Sequence, residues 1–300
     1  MYNLNSFSLF KDKTHNEFRE LPYEKLVRMK KVNYVFIFIN KKQIYVKEKN
    51  PFFYSCKKIP KKLLQTSLSY IANTKYSIYL LCNLSNEEIR SQSILNTCDL
   101  INIRDILFNA EQKHVNYISA AYALYKWQNN QKFCGLCGSK NKFIENGYSA
   151  ICSNTRCNNK IFPSVFPTII VNVTHENRIL LGRNHGWNKN LYSCLAGFCE
   201  QSENAEEAVK REVFEEVGLE VKNIKYKYSQ FWPYTSNLML GYNAEMASRN
   251  SKIIINKNEI DDAKWFSSNQ IKELVYKKKL ILPRKGAIAY SLINDWLIKN

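Results

Sequence analysis

Between Gly197 and Leu219 the chain reads GFCEQSENAEEAVKREVFEEVGL, and this stretch limits what the chain can fold into more than any other. Asn204 can cap a helix, and Glu207, three residues on, completes a capping-box pattern. No Gly or Pro interrupts Ala205 to Val217, where Ala205, Val209 and Val213 recur every fourth residue and predict a buried stripe. Gly218 supplies a stop at the C′ position. Glu212, Glu215 and Glu216 stand at i, i+3 and i+4, so three carboxylates share one helix face. Like charges so placed repel by roughly a few tenths of a kcal/mol per i,i+4 pair. A hard divalent cation, bound through oxygen, would offset that repulsion. Arg211 beside the cluster can orient a carboxylate through a bidentate bond. Three glutamates alone would equally describe a solvated acidic face.

A second cluster is made of sulfur. Cys134 and Cys137 form a C-x2-C pair, Cys152 and Cys157 a C-x4-C pair, and a short polar hairpin separates them. Four thiolates at this spacing satisfy tetrahedral Zn²⁺ and leave no open position, so the role expected is structural. A redox C-x-x-C is the competing reading. It lacks a helix opening at Cys137, and a second pair follows at ribbon distance.

The chain has 300 residues, 45% of them hydrophobic and 13% aromatic, enough for two modest domains with real cores. No apolar run reaches the roughly 18 residues of a membrane span. The N-terminus lacks an apolar h-region and carries acids early, so the expected compartment is cytoplasmic, with peroxisome or mitochondrion as alternatives. Nine cysteines in such a chain suggest thiols and metal ligands rather than disulfides. The net charge of +18 suits a polyanion such as RNA, and equally suits a chain that is Lys- and Asn-rich throughout.

Along the chain, residues 1 to about 110 read as an irregular α/β region with strands near Val32–Ile37, Gln43–Val46 and Ser77–Leu84. Cys56, Cys82 and Cys98 have no ligand spacing and read as buried thiols. A helix is expected over Asp105–Gln128, with Ala120, Ala121, Leu124 and Trp127 on its core face. Strands follow at Thr168–Val173, Arg178–Gly182 and Tyr192–Ala196, then at Lys225–Gln230, Leu238–Met246 and Ile253–Ile255, and a helix over Pro283–Ile298 closes the chain. The order is an N-terminal α+β domain (1–130), a four-cysteine ribbon (131–162) and an α/β domain (163–300).

The glutamate stretch fits the Nudix box, G-x5-E-x7-R-E-U-x-E-E-x-G-U with U aliphatic, through Gly197, Glu203, Arg211, Glu212, Val213, Glu215, Glu216, Gly218 and Leu219. The chain therefore resembles a Nudix hydrolase, which implies an α/β/α sandwich and metal-dependent cleavage of a nucleoside diphosphate. Ser229–Asn237, SQFWPYTSN, resembles the SQPWPFPxS motif of the NADH pyrophosphatase branch, also viewed as NAD-capped RNA hydrolases. Ser229, Gln230, Trp232 and Pro233 match; Phe231, Tyr234, Thr235 and Asn237 depart, while Ser236 fills the free position. Helix, four-cysteine ribbon and box also follow one another in this branch's order.

The resemblance implies Mg²⁺ or Mn²⁺ on the Ala196 carbonyl, Glu212, Glu215, Glu216 and Glu259, with Glu215 or Glu216 helping to remove a proton from water. It implies that Phe198 stacks on nicotinamide, that Phe162 stands where the family has a Tyr reaching substrate across a homodimer interface, and that Ala289 lines the pocket. Trp232 and Tyr234 could stack on a base, with Gln230 and Ser229 giving polar contacts. The activity so implied is hydrolysis of NADH or NAD to nicotinamide mononucleotide and AMP, or decapping of NAD-capped RNA. The alternatives are another Nudix substrate, such as ADP-ribose or diadenosine polyphosphate, or a non-catalytic nucleotide- or RNA-binding protein, whose mark would be lost box carboxylates.

Overall fold

Asn33–Asn40 reads NYVFIFIN, apolar on both faces, so it belongs inside a sheet. In the computed structural model, which describes residues 15–29, 32–64, 67–84, 93–247 and 252–300, this run is strand β1. It is followed by β2 (Gln43–Lys47), β3 (Asn50–Pro51), β4 (Phe53–Cys56), β5 (Ser67–Asn73), β6 (Ser77–Asn83) and β7 (Asp99–Asn102). Among the described residues these make a seven-stranded sheet, ordered β3-β2-β1-β6-β5, with β4 and β7 pairing β1 and β2. Tyr34, Phe36, Phe38, Tyr70 and Leu80 fill its core.

Two helices replace the single one expected over Asp105–Gln128. Asn102 accepts a bond from the Arg104 amide at 2.9 Å and starts α1 (Ile103–Asn109). Ala110 is then extended (φ −79°, ψ 162°), which breaks the helix before α2 (Gln112–Asn130). Ala121, Leu124 and Trp127 are buried on α2 as their spacing requires. Ala120 is only partly covered, and Val115 and Ile118 extend the core face toward the N-terminus. A three-stranded hairpin sheet follows, from β8 (Asn141–Ile144), β9 (Ser149–Cys152) and β10 (Lys160–Ile161), with β9 in the middle.

The described residues up to Ser164, with Pro233–Thr235, form one compact unit; Val165–Trp232 and Ser236–Asn300 form the other. The second unit holds β11 (Phe166–His175), β12 (Arg178–Arg183), β13 (Leu195–Phe198), β14 (Val221–Trp232), β15 (Asn237–Met246) and β16 (Asp262–Ser267). They run β14-β15-β11-β12-β16, with β13 on β11 and β15 parallel to β11. Alternation along β11 sets the layers. Ile169, Val171 and Val173 pack with Ala208, Val209 and Val213 of α3 (Ala205–Val217). Ile170 packs instead with Ile288, Leu292 and Trp296 of α5 (Ile288–Lys299), after α4 (Ser268–Tyr276). The sheet lies between helices, the α/β/α sandwich expected.

Further details differ from expectation, among them the strand expected at Tyr192–Ala196, which runs Leu195–Phe198. Ile253–Ile255 is not a strand, because its backbone serves the end of α3: Ile254 N–H donates to Val217 O at 2.9 Å, and Asn256 N–H to Glu216 O at 3.0 Å. Those carbonyls have no partner within the helix. The closing helix begins at Ile288 rather than Pro283, since Gln230 Oε1 receives the Ile288 amide at 2.8 Å and fixes the start. Among the described residues no helix is long and apolar enough to cross a membrane.

α3 ends at Gly218, whose φ is +67° and whose N–H donates to Phe214 O at 2.8 Å. A Cβ there would meet Ile254 Cβ at 3.1 Å. Gly218→Ala should therefore lose about 1 kcal/mol of stability. A lower denaturant midpoint at unchanged m-value is the expected reading; an unaltered midpoint would mean that the left-handed stop carries no weight.

Candidate metal and substrate site

α3 starts as its spacing requires. Asn204 Oδ1 accepts from the Glu207 amide and Glu207 Oε2 from the Asn204 amide, each at 2.9 Å. Two turns later Arg211 engages all five of its N–H donors. Nε and Nη2 grip the Glu203 carboxylate at 2.8 and 2.9 Å. Nη1 donates to Glu212 at 2.9 Å and Glu215 at 2.8 Å, and Nη2 also reaches the Phe198 carbonyl at 2.8 Å. Glu203 in turn accepts from the Glu200 amide at 2.9 Å. One guanidinium thus ties the β13–α3 loop to the helix. The sequence marks Glu203 as a fixed position without giving it a task; here it is the principal counter-ion of Arg211, and the pairing holds the Glu203 carboxyl below its usual range.

Gly197 has an equally concrete reason. A Cβ at this position would sit 1.9 Å from Glu212 Cδ and 2.0 and 2.1 Å from its two oxygens. The Glu212 carboxyl lies directly over the β13 backbone, next to Ala196, and only glycine leaves it room.

Glu216 points inward with 6% of its surface exposed, and its Oε2 has no hydrogen-bond partner. Burial first, then the charges of Glu212, Glu259 and Glu215, push its carboxyl up to about 8. Burial likewise raises Glu212, with Glu215 and Glu259 adding to it and Arg211 opposing. A buried, unpartnered carboxylate oxygen is costly unless a proton or a cation meets it. Glu215 and Glu259 are exposed. The acids converge on Glu216 from one helix and from the segment before β16, a donor set of hard oxygens that fits a divalent cation. Among the described residues only four cysteines bring their ligand atoms within 4.8 Å of one another.

The residues expected to contact substrate divide. Phe198 is 55% exposed at the end of β13, beside the carboxylates. Gln230 is buried, with Nε2 donating to Gly286 O at 2.7 Å and Oε1 accepting from Ile288 N–H, so its amide seats the start of α5. Asn237 is buried too, and Nδ2 donates to Thr168 Oγ1 at 2.6 Å. Phe231 and Trp232 are half-buried, Trp232 against the α5 side of the core. Ser236 takes a left-handed φ of +61°, and its carbonyl receives the Phe166 amide at 3.0 Å. Ala289 packs within the core. Pro233, Tyr234 and Thr235 belong to the first compact unit, where the Arg104 guanidinium stands 5.3 Å from the Tyr234 ring and Lys126 donates to the Tyr234 carbonyl. Phe162 also lies in that unit, 57% exposed, with the Lys160 ammonium 5.1 Å from its ring.

The sulfur cluster is compact. Cys134 and Cys157 sulfurs are 3.8 Å apart, Cys137 and Cys152 sulfurs 3.4 Å, and all four thiols are free. Gly138, at φ +73°, lets the first knuckle close, with Cys134 N–H donating to Ser139 O at 2.7 Å. The Ser139 amide pulls the Cys137 thiol down to about 6, and the amides of Leu136 and Cys137 lower that of Cys134. Burial pushes Cys152 up to about 12. Inward-turned backbone amides that favour thiolate, around four converging sulfurs, fit tetrahedral Zn²⁺ with no open position.

Comparison with known proteins agrees with this geometry. The NUDIX domain family matches residues 165–285, and the NADH pyrophosphatase zinc ribbon domain matches residues 129–162. The chain is 36% identical over 202 residues to NAD-capped RNA hydrolase NUDT12 of Homo sapiens, covering 64% of this chain and 43% of that protein. It is 35% identical over 209 residues to NAD(P)H pyrophosphatase NUDT13, mitochondrial, of Mus musculus, covering 66% and 59%. It is 36% identical over 187 residues to NAD-capped RNA hydrolase NudC of Pseudomonas putida, covering 62% and 66%. The chain thus spans from 43% to 66% of the length of these relatives.

Two predictions follow from the two clusters. In chelator-treated protein, Glu216 holds a proton when folded that it loses near 4.5 when unfolded. Its contribution to stability is then fully present below pH 4.5 and is lost as pH rises through about 8. Glu216→Gln should flatten that fall in melting temperature and abolish the gain that divalent ion gives the native chain. A variant that still gains stability from the ion would show that Glu216 does not face it. The ribbon should retain about one Zn²⁺ per chain, and Cys137→Ser should lose the metal and destabilise the first unit strongly. Elemental analysis without zinc would remove the ribbon reading.

Proposed function

Since the chain is a Nudix-family protein carrying the zinc ribbon of NADH pyrophosphatases, we propose that it hydrolyses the diphosphate of NADH or NAD to nicotinamide mononucleotide and AMP, and that it removes NAD from the 5′ end of RNA to leave a 5′-monophosphate. The observation that carries this reading is the buried, unpartnered Glu216 carboxylate with Glu212, Glu215 and Glu259 around it. Glu212, Glu215, Glu216, Glu259 and the Ala196 carbonyl would hold Mg²⁺ or Mn²⁺. Such an ion supplies neutralising charge for the diphosphate and acidifies water.

The chain's own groups do the remainder. Arg211 keeps Glu212 and Glu215 in place and spends its other donors on Glu203 and the Phe198 carbonyl, so it orients the site rather than gripping phosphate. Glu215, exposed at the rim, or Glu216 takes the proton from the attacking water. Phe198 offers a free ring for the nicotinamide, with the half-buried Trp232 as a second aromatic candidate. Zn²⁺ on Cys134, Cys137, Cys152 and Cys157 would hold the ribbon together as a structural ion. A homodimer in the cytoplasm belongs to the same proposal, with Phe133, Leu136 and Phe162 as exposed apolar surface on the ribbon.

One observation favours a second reading, a Nudix hydrolase of ADP-ribose or a diadenosine polyphosphate. Gln230 and Asn237, expected to touch substrate, are bonded within the fold instead. A panel of dinucleotides with Mn²⁺ separates the two. NADH should give the highest kcat/KM, reduced on the order of 100-fold or more by Glu216→Gln; faster cleavage of ADP-ribose would establish the second reading. For RNA, KM for NAD-capped transcript should rise more steeply with salt than KM for NADH, by roughly 0.7 in the log–log slope for each extra phosphate neutralised. Parallel slopes would make the net charge of +18 compositional background.

A further inference from the structure

The structure assigns a positioning role to Arg183 and Asp261: together they clamp the segment that carries Glu259 against the carboxylate cluster, an inference that rests on reading that cluster as a divalent-cation site. Glu259 stands in an exposed turn and carries the same charge as Glu212 and Glu216, the acids of the cluster. It is therefore repelled by the acids it must join. A carboxylate in that position moves off into water unless its backbone is held.

The hold has two ends. Upstream, Ile254 and Asn256 donate to the last carbonyls of α3 at 2.9 and 3.0 Å, and Glu259 N–H closes a turn on Asn256 O at 3.0 Å. Immediately downstream, Ile260 is 1% exposed and packs with the α3 core. Asp261 then meets the end of β12. Its N–H donates to Arg183 O at 2.9 Å, and its carboxylate accepts from Arg183 Nε at 2.8 Å, with Nη2 at 2.5 Å. Arg183 is itself fixed, since Nη1 donates to the Lys189 carbonyl and to Tyr192 Oη at 3.3 Å. The Lys257 ammonium donates to the Asp261 carbonyl, and His185 Nε2 lies 2.9 Å from the Lys257 carbonyl. The neighbouring Asp262 is matched by Lys264 at 2.7 Å and Tyr192 at 2.5 Å, which leaves Asp261 as the main acidic partner of Arg183. Only Ile260 separates Glu259 from Asp261, so the clamp is close enough to set the Glu259 backbone yet outside the acidic cluster.

Groups that orient metal ligands without touching the metal typically contribute 10- to 100-fold in affinity. The test is Mn²⁺ binding to the full, zinc-loaded chain, read from the electron paramagnetic resonance signal of free Mn²⁺. Arg183→Gln and Asp261→Asn should each weaken binding roughly tenfold. Arg183→Lys should fall between, because an ammonium keeps the charge and loses the planar fork. In a Glu259→Gln background, adding Arg183→Gln should change affinity less than twofold, since the ligand being positioned is already gone. Should Arg183→Gln fail to fold, Asp261→Asn breaks the same pair from its more exposed side and stands in its place throughout. Unchanged Mn²⁺ affinity in these variants, or effects that multiply with Glu259→Gln, would overturn the inference. If instead the unaltered chain binds no Mn²⁺, or Glu216→Gln binds it equally well, the cation-site reading itself fails.

Discussion

The Arg211 guanidinium is the interaction on which the site depends. Its five donors are divided among Glu203, Glu212, Glu215 and the Phe198 carbonyl. The side chain is 22% exposed, so these bonds are only partly screened. Charge-assisted bonds in such settings contribute about 1.5–3 kcal/mol each, whereas the open surface pair Lys277–Glu273 is screened by water. Strand, loop and helix are thereby joined at one point. Gly197 makes that joint possible, because any side chain there would occupy the space of the Glu212 carboxyl.

The same joint explains why acids can gather where the fold would otherwise reject them. Arg211 offsets Glu212 and Glu215 but makes no bond to Glu216, which stays buried with an unpartnered oxygen. The core on that face of α3 is Ala208, Val209, Val213 and Val217, and it gives Glu216 no polar company. Strain is thus concentrated on one carboxylate. A cation would relieve it, and Glu259 would complete the set from the far side. The ribbon in the first compact unit uses a different device: four sulfurs gathered by backbone turns whose amides favour thiolate at Cys134 and Cys137.

Much of this was legible in the sequence because it is local. The capping box at Asn204 and Glu207, the stop at Gly218 and the knuckle cysteines are each settled within a few residues, and each is where spacing puts it. What escaped is non-local. Ile253–Ile255 has strand composition, yet the amides of Ile254 and the following Asn256 go to carbonyls at the end of α3. The break at Ala110 follows from an extended residue that periodicity does not register. β16 and α4 are short, at six and nine residues, although Ser267 and Gln270 form a readable capping box between them. Gln230 sits in a stretch that reads as substrate contact, but its amide joins β14 to a helix that begins 58 residues later. The Arg183–Asp261 clamp spans 78 residues and leaves no local trace.

Anomalous diffraction from crystals grown with Mn²⁺ tests the central claim most directly. The expected result is a peak within coordination distance of the Glu216 and Glu212 carboxylates and the Ala196 carbonyl, with Glu259 turned toward it and the Arg211 bonds to Glu203 intact. Manganese found only at outward acids such as Glu206 and Glu207, with Glu216 still unpartnered, would contradict it.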